Sequence, residues 1–563
     1  MIDFKGEIIK LIEGKISDID ESGLEKLIEV PPNPAMGDFA LPAFSFAKTM
    51  KKAPNLIAGE LAETLESPYF EKIEAKGPYL NFFINKGLLV EDVLKDVYEN
   101  KDRFGSSDLG QNRNLIIDFS SPNIAKAFHI GHLRSTVIGN SLRNIFDFLG
   151  FKTVAVNHLG DYGTQFGLLI TAYKLWGDQD AIDKNPIPEL LKLYVRVNQE
   201  AEEDPSLRDQ ARDWFRRLEA GEDEAVRLWT YFREVSLSEF NRVYKMLDID
   251  FDSWNGEAFY SDKMDQVVKD LEDKNLLVPS ENAIVVNLEK YSMPPMLIKK
   301  SDGSTLYATR DLAAAYYRHK TYDFYKNIYV VGSQQNLHFK QLFTVLGLLG
   351  KDWAEDCVHV PFGMVSLPEG TMSTRRGNVV YLEDVLLTAI DKTKNIIADR
   401  DIEDKEKLAA DIGIGAVIFQ ELFNDRNKDY VFDWDKLLSF EGETGPYVQY
   451  THARISSLLE KGNFNLGDEV DYSLLSLDEE FEILKNIYGF KDTVIDAGDK
   501  YQPFFISRHL VALCQAYNSY YANTSILVDD EDLKKSRLAL SFAVKTVIKN
   551  GLGLLGMKAP EKM

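Results

Sequence analysis

Apolar positions recur at helical spacing over 7–16 and 24–30, and the prolines of Pro31-Pro32-Asn33-Pro34 punctuate them. After Gly77-Pro78, the stretch 80–85 (Leu-Asn-Phe-Phe-Ile-Asn) has the short aromatic character of a strand. Together these pieces predict a self-contained α+β module over 1–110, with nothing in it that suggests catalysis. The run 114–119 is almost wholly apolar, as a strand buried on both faces must be. A Ser-Ser-Pro-Asn turn follows at 120–123, then a helical pattern over 124–148 ending at Gly150, then a second buried strand at 153–156. Strand, turn, helix, strand is the unit of a doubly wound parallel sheet, whose ligands sit beyond the strand C-termini.

Sheet-like runs return at 328–331 and 358–360. The residues from 171 to about 300 read as a helical, acidic insertion into this α/β layer, which spans 111–385. A helical stem over 386–439 leads to an all-α domain at 440–563.

The 563 residues carry 65 Lys+Arg against 89 Asp+Glu, a net charge of -24, which excludes a protein that binds nucleic acid by being basic all over. Cys357 and Cys514 are the only cysteines, too few for a disulfide framework or a four-cysteine zinc site. No uncharged apolar stretch reaches the roughly 18–20 residues that span a bilayer, and the charged N-terminus is no secretory signal, so a cytoplasmic protein without a membrane or a zinc site is expected.

The strongest chemical signal is His129-Ile130-Gly131-His132, about ten residues beyond a buried strand and at a helix start. Residues three apart share a helix face, and a helix N-terminus favours phosphate through its free N–H groups and dipole. Gly131 would let a ligand approach the backbone, and the imidazoles would donate to phosphate oxygens as charge develops. A pair of satisfied helix histidines is the bland alternative. By contrast, Gly551-Leu552-Gly553-Leu554-Leu555-Gly556 fits a dinucleotide fingerprint only by letter, because too few residues follow it; a packed helix end is expected there.

The four residues 129–132 match the HIGH motif of class I aminoacyl-tRNA synthetases, and the stretch 118–135 around them resembles the arginyl-tRNA synthetases specifically. Four further blocks agree: 157–167 with Asn157-His158-Leu159-Gly160-Asp161, 306–313 with Tyr307-Ala308-Thr309-Arg310-Asp311, 330–339 with Gln334-Gln335-Asn336-Leu337-His338, and 443–454 with Thr444-Gly445-Pro446-Tyr447-Val448-Gln449-Tyr450. The resemblance spans nearly the whole chain. It implies a Rossmann-like catalytic domain, an N-terminal module that contacts tRNA, and a C-terminal domain that reads the anticodon. The implied reaction joins L-arginine to tRNA(Arg) through arginyl-adenylate, with ATP as substrate and Mg²⁺ as its companion, in a monomer whose adenylate step requires tRNA.

The resemblance also implies residue roles. Asp118, Tyr307 and Asp311 would hold the guanidinium, whose fork of donors a carboxylate can take bidentately. Asn123, His158 and Gln335 would complete the arginine site. His129, Gly131, His132, His338, Met372 and Ser373 would meet ATP. The usual Lys-Met-Ser-Lys-Ser loop is replaced by Thr371-Met372-Ser373-Thr374-Arg375-Arg376-Gly377-Asn378, so Arg375 and Arg376 would carry its charge and Lys126 would supply the missing phosphate contact. Tyr447, Tyr450, Tyr517, Tyr520 and Tyr521 would offer platforms for splayed bases. Helix-packing aromatics and a solvated lysine are the plainer alternatives.

Two other functions fit part of these motifs: a nucleotidyltransferase that acts on a small acid without RNA, and a catalytically silent RNA-binding paralogue. The tyrosine-rich helical end speaks against the first, and intact His129, His132, Asp311 and Gln335 against the second. Local charge reconciles RNA with the acidic total: 171–270 has a net charge of -9, whereas 111–150 has +2 and 501–563 has +3. Charges more than about 8 Å apart are largely screened at physiological salt, so Arg537 and Lys549 are expected cationic contacts and 202–224 a solvated acidic face.

Overall fold

The computed structural model describes all residues except 17–20, 127, 281–282, 301–306 and 367–379. Four strands, β1 (Asn114–Asp118), β2 (Lys152–Val156), β3 (Lys326–Gly332) and β4 (Cys357–Phe362), form a wholly parallel sheet in the order β4-β3-β1-β2. Helices α1 (Ile130–Phe148), α2 (Tyr307–Tyr322) and α3 (Asn336–Leu348) cover it. Ile116 and Tyr329 join Leu312, Ala315, Leu342 and Leu346 of α2 and α3 in one core. Leu115 and Ile117, on the other face of β1, are equally dry. The sheet grows from β1 in both directions, and such a reversal leaves a crevice beyond the C-termini of β1 and β3.

The helix read from residue 124 begins only at Ile130. Ser120, Ser121 and Ala125 have φ of 73°, 49° and 59°, values that no right-handed helix accepts. Buried hydroxyls hold this turn. The Ser120 N–H donates to Ser135 Oγ at 2.9 Å, and Ser120 Oγ lies 2.8 Å from Thr136 Oγ1 and 2.7 Å from the Tyr244 hydroxyl. Lys126 therefore sits in a turn ahead of α1, not on a helix.

The insertion is helical through Met264–Asp273 but not to residue 300. Leu277–Ser280, Ala283–Val286 and Met296–Lys300 form an antiparallel sheet, where strand-favouring residues such as Val278, Ile284, Val285, Val286 and Ile298 gather. The final glycine cluster is a packed helix end: helix Glu531–Leu554 stops there, Gly556 has φ of 77°, and Leu552, Leu554 and Leu555 are buried.

The chain divides into two compact units. The one just described comprises 105–454, 491–511 and 548–563; the other comprises 1–104, 455–490 and 512–547. In the latter, strands Phe39–Pro42, Tyr79–Ile84 and Phe70–Lys76 pair antiparallel in that order, as the α+β reading requires. Its first helix runs Phe4–Ile12, earlier than 7–16, because Asp3 accepts the Gly6 N–H at 2.9 Å and caps it. Its second runs Glu21–Leu27, since Glu29 already pairs with Ala40.

The same unit buries Glu480 completely, 3.4 Å from Arg537 Nε and 2.9 Å from the Tyr520 hydroxyl that donates to it. Arg537 is therefore half of a core ion pair and not the surface cation expected from charge counting. Unpairing a buried charge costs about 3–5 kcal/mol. Arg537→Glu is expected to lower the unfolding midpoint by several degrees. Lys549→Glu, at an exposed position, is expected to leave it within about 1 °C; thermal denaturation followed by circular dichroism checks both.

Candidate active site

A cleft of about 530 Å³ opens beyond β1 and β3, at the reversal of the sheet. Asp118, Asn123, His158, Tyr307, Asp311, Gln335 and His338, all expected site residues, line it together. Glu257, Arg318 and Tyr329 line it as well and were not anticipated.

Asp118, at the end of β1, is 5% exposed, and its Oδ2 accepts from Arg318 Nη2 at 2.7 Å. Ser121 Oγ donates to its Oδ1 at 3.1 Å. The chain's own guanidinium thus occupies the carboxylate expected to receive the ligand's, because α2 carries Arg318 seven residues after Asp311, on the same face. His158 stacks on Tyr260 at 5.5 Å and lies 4.0 Å from Asp311, and burial lowers its affinity for a proton.

Asp311 contacts His338 Nε2 at 2.7 Å. Burial opposes its charge, but the His338 hydrogen bond and neighbouring positive groups hold it below the usual carboxylate range. His338, expected on the ATP side, is thereby paired with Asp311, and its ring is 5.1 Å from that of Tyr307, which is 57% exposed.

Glu257 belongs to the opposite class. Burial pushes it up to about 7, against the pull of Arg310 at 3.6 Å, and the charges of Asp311 and Asp161 add to the rise. Its placement depends on Asp161, whose carboxylate accepts the Ala258 N–H at 2.9 Å and Arg233 Nε at 3.2 Å. A Cβ at Gly256 would come within 2.5 Å of that carboxylate, so only glycine lets the backbone approach and present Glu257 to the cleft.

The HIGH residues do not line this cleft. His129 caps α1: its Nδ1 accepts the Gly131 N–H at 3.0 Å, while His132 Nδ1 accepts the His129 N–H at 3.2 Å. With both Nδ1 atoms accepting, each ring carries its proton on Nε2, and the rings lie 4.1 Å apart. Gly131 makes room for this cap, since a Cβ there would meet the His129 ring at 2.8 Å. Burial lowers His129 to about 4 and His132 well below its ordinary value. Near neutral pH both are uncharged donors at a helix N-terminus, a site suited to phosphate. Lys126 Nζ lies 5.8 Å from the Tyr194 ring. Met372, Ser373, Arg375 and Arg376 lie outside the described residues.

Among the tyrosines, Tyr447 and Tyr450 are partly exposed on helix Gly445–Lys461, and Tyr521 is exposed. Tyr517 and Tyr520 are fully buried, with the Tyr517 hydroxyl on Ser541 at 3.0 Å, so neither ring offers a face to a base.

The chain matches three family models: "tRNA synthetases class I (R), catalytic domain" over 93–434, "DALR anticodon binding domain" over 448–563, and "Arginyl tRNA synthetase N terminal domain" over 6–84. It is 57% identical to the arginine–tRNA ligase of Halothermothrix orenii and 55% identical to that of Clostridioides difficile, each over 566 residues and the full length of both chains. Its fold resembles the arginyl-tRNA synthetase structures of Thermus thermophilus (TM-score 0.84, 24% identity, covering 100% of this chain and 99% of that one) and Plasmodium falciparum (0.82, 26%, 100% of both).

The buried histidines give a direct test. A histidine held below its ordinary value binds a proton less readily folded than unfolded, so its contribution to stability is present above about pH 6.5 and is lost as pH falls from there through the folded value. For His129, folded at about 4, NMR titration is expected to show a neutral Nε2–H ring throughout pH 6–8. A midpoint near 6.5 would overturn the capped, neutral assignment.

Proposed function

The chain belongs to the arginyl-tRNA synthetases, and from that premise we propose how its residues perform the family's reaction. It is an arginine–tRNA ligase that converts ATP, L-arginine and tRNA(Arg) into L-arginyl-tRNA(Arg), AMP and diphosphate through arginyl-adenylate. A carboxylate oxygen of arginine attacks the α-phosphorus of ATP, and the bond to the bridging oxygen breaks as diphosphate leaves. The 3′-terminal ribose hydroxyl of tRNA then attacks the adenylate carbonyl, loses its proton, and AMP departs. No enzyme group bonds to substrate, so catalysis is alignment and charge stabilisation.

The observation that carries the arginine assignment is the cleft at the sheet reversal, where Asp311 and Glu257 present carboxylates beside Tyr307. We assign the guanidinium to these three. Asp118 acts one step back, fixing Arg318 at the cleft wall, since its Oδ2 is already engaged. Asn123, Gln335 and His158 take the amino-acid end, and His338 orients Asp311. Lysine's single point charge would leave part of this acceptor set unmatched.

The neutral Nε2–H groups of His129 and His132, the backbone at Gly131, and Lys126 hold the phosphates, with Met372, Ser373, Arg375 and Arg376 from the stretch that follows Ser366. Mg²⁺ would accompany ATP and offset the charge of its phosphates.

Tyr447, Tyr450 and Tyr521 are the exposed aromatic candidates for tRNA, with module 1–110 as a second contact. We assign 111–385 to the catalytic layer, 386–439 to a helical stem and 440–563 to the helical domain that meets the anticodon. We take the enzyme to act as a monomer, the state that the family resemblance implies. Among the described residues no helix is long and apolar enough to cross a membrane, which fits a cytoplasmic enzyme.

Three measurements test this reading. ATP–diphosphate exchange in the presence of tRNA is expected to depend on arginine; exchange driven by another amino acid would overturn the pocket. Glu257 is protonated below its value of about 7, and a neutral acid attracts a guanidinium less, so KM for arginine is expected to rise as pH falls from 8 to 6, and Glu257→Gln to raise KM and abolish that dependence. Lys126→Ala is expected to lower kcat of the exchange step by about tenfold or more, the equivalent of ~1.4 kcal/mol; a change within about twofold would remove Lys126 from the phosphate site.

A further inference from the structure

Arg134 lies on α1, two residues past His132, and is completely buried. A guanidinium without solvent must have its donors matched by other groups. Its Nε is 2.6 Å from Glu421 Oε1, which is equally buried. Its Nη1 donates to the Lys428 carbonyl at 2.8 Å and its Nη2 to the Asp425 carbonyl at 3.4 Å. The second Glu421 oxygen accepts from the Tyr430 hydroxyl at 2.5 Å, and the guanidinium lies 5.1 Å from the Tyr430 ring centre. All three guanidinium nitrogens are therefore directed at one strut, residues 421–431.

That strut is laced to the chain leaving β4. Arg426 Nη1 donates to the Pro361 carbonyl at 2.5 Å, the Gly363 N–H donates to the Arg426 carbonyl at 2.8 Å, and the Met364 N–H donates to Asp429 Oδ1 at 2.6 Å. Val365–Ser366 then pairs in parallel with Tyr430–Val431. On the far side of 367–379, the Ile130 N–H donates to the Val380 carbonyl at 3.2 Å and the Leu382 N–H to the Phe128 carbonyl at 2.9 Å. Both flanks of that stretch hang on the segment that bears His129 and His132. One flank is tied to it through backbone bonds, the other through Arg134.

We propose that Arg134, with Glu421 and Tyr430, is a positioning residue of the ligase reaction, fixing α1, whose N-terminal end carries His129 and His132, against residues 421–431 and 363–366. The inference rests on the reading above that the HIGH histidines meet ATP. A lysine at 134 would keep the charge for Glu421 but reach only part of the fork's acceptors. The arginine cleft is lined by none of these strut residues, so arginine binding is insulated from the change.

Steady-state ATP–diphosphate exchange with tRNA, on Arg134→Lys and Tyr430→Phe, decides it. The expected result is kcat about tenfold lower for Arg134→Lys and about threefold lower for Tyr430→Phe, with KM for ATP raised and KM for arginine within about twofold of the parent. A merely structural pair would lower the unfolding midpoint without separating the two KM values. Unchanged kcat in both variants, or KM for arginine rising in step with that for ATP, would overturn the proposal. Should Arg134→Lys not fold, Tyr430→Phe alone decides. Absence of arginine-dependent exchange in the parent protein would instead refute the ligase reading beneath it.

Discussion

Where β1 ends, the chain must pass from a strand buried on both faces to the N-terminus of α1, placing Asp118 at the cleft wall and His129 at the helix cap. It does so through a turn with three non-glycine residues at positive φ, Ser120, Ser121 and Ala125. Such backbone costs about 1–3 kcal/mol per residue and persists only where surroundings over-determine it. Here they do: Ser135 and Thr136 of α1 and Tyr244 of helix Asp223–Met246 converge on Ser120, and Asn157 Nδ2 donates to the same Tyr244 hydroxyl at 3.0 Å. Sheet, helix and insertion meet at one hydroxyl. The insertion is thus structural support for the catalytic turn as well as an addition to the domain.

From that turn the site divides by charge. The HIGH histidines are made neutral by burial and fixed as Nε2–H donors by the cap, so they offer directional hydrogen-bond donors, not cations, at the start of α1. A neutral donor pair does not hold diphosphate as a fixed cation would, which suits a group that must leave after the first step. The cationic side chains proposed for the phosphates lie elsewhere in the sequence, Lys126 three residues before His129 and the two arginines at 375 and 376 far beyond it.

Much of this was legible in sequence because it is local. Buried strands announce themselves by composition, and the resemblance to the arginyl-tRNA synthetases named seven residues that line one cleft. What was not legible depends on pairs far apart in the chain. Arg318 and Asp118 are 200 residues apart and Arg134 and Glu421 nearly 290, and no periodicity links them. The start of α1 was misread because positive φ at serine and alanine leaves no mark in hydrophobic pattern. Tyr517, Tyr520 and Arg537 were misread for a related reason: a polar tip on a buried body looks like a surface residue until its partner, Ser541 or Glu480, is known.

The pairs that sequence could not show also decide what the cleft accepts. In and behind it stand four carboxylates, Asp118, Asp161, Glu257 and Asp311, and three guanidinium groups, each set against one of the first three: Arg318 on Asp118, Arg233 on Asp161 and Arg310 near Glu257. Asp311 is paired with imidazoles, His338 at 2.7 Å and His158 at 4.0 Å, with Arg318 also lowering its proton affinity. In this set the carboxylates outnumber the guanidinium groups by one. Without ligand, the excess negative charge appears as the raised proton affinity of Glu257, to which Asp311 and Asp161 contribute. A proton on Glu257 relieves part of that imbalance, and a cationic ligand side chain would relieve the same part.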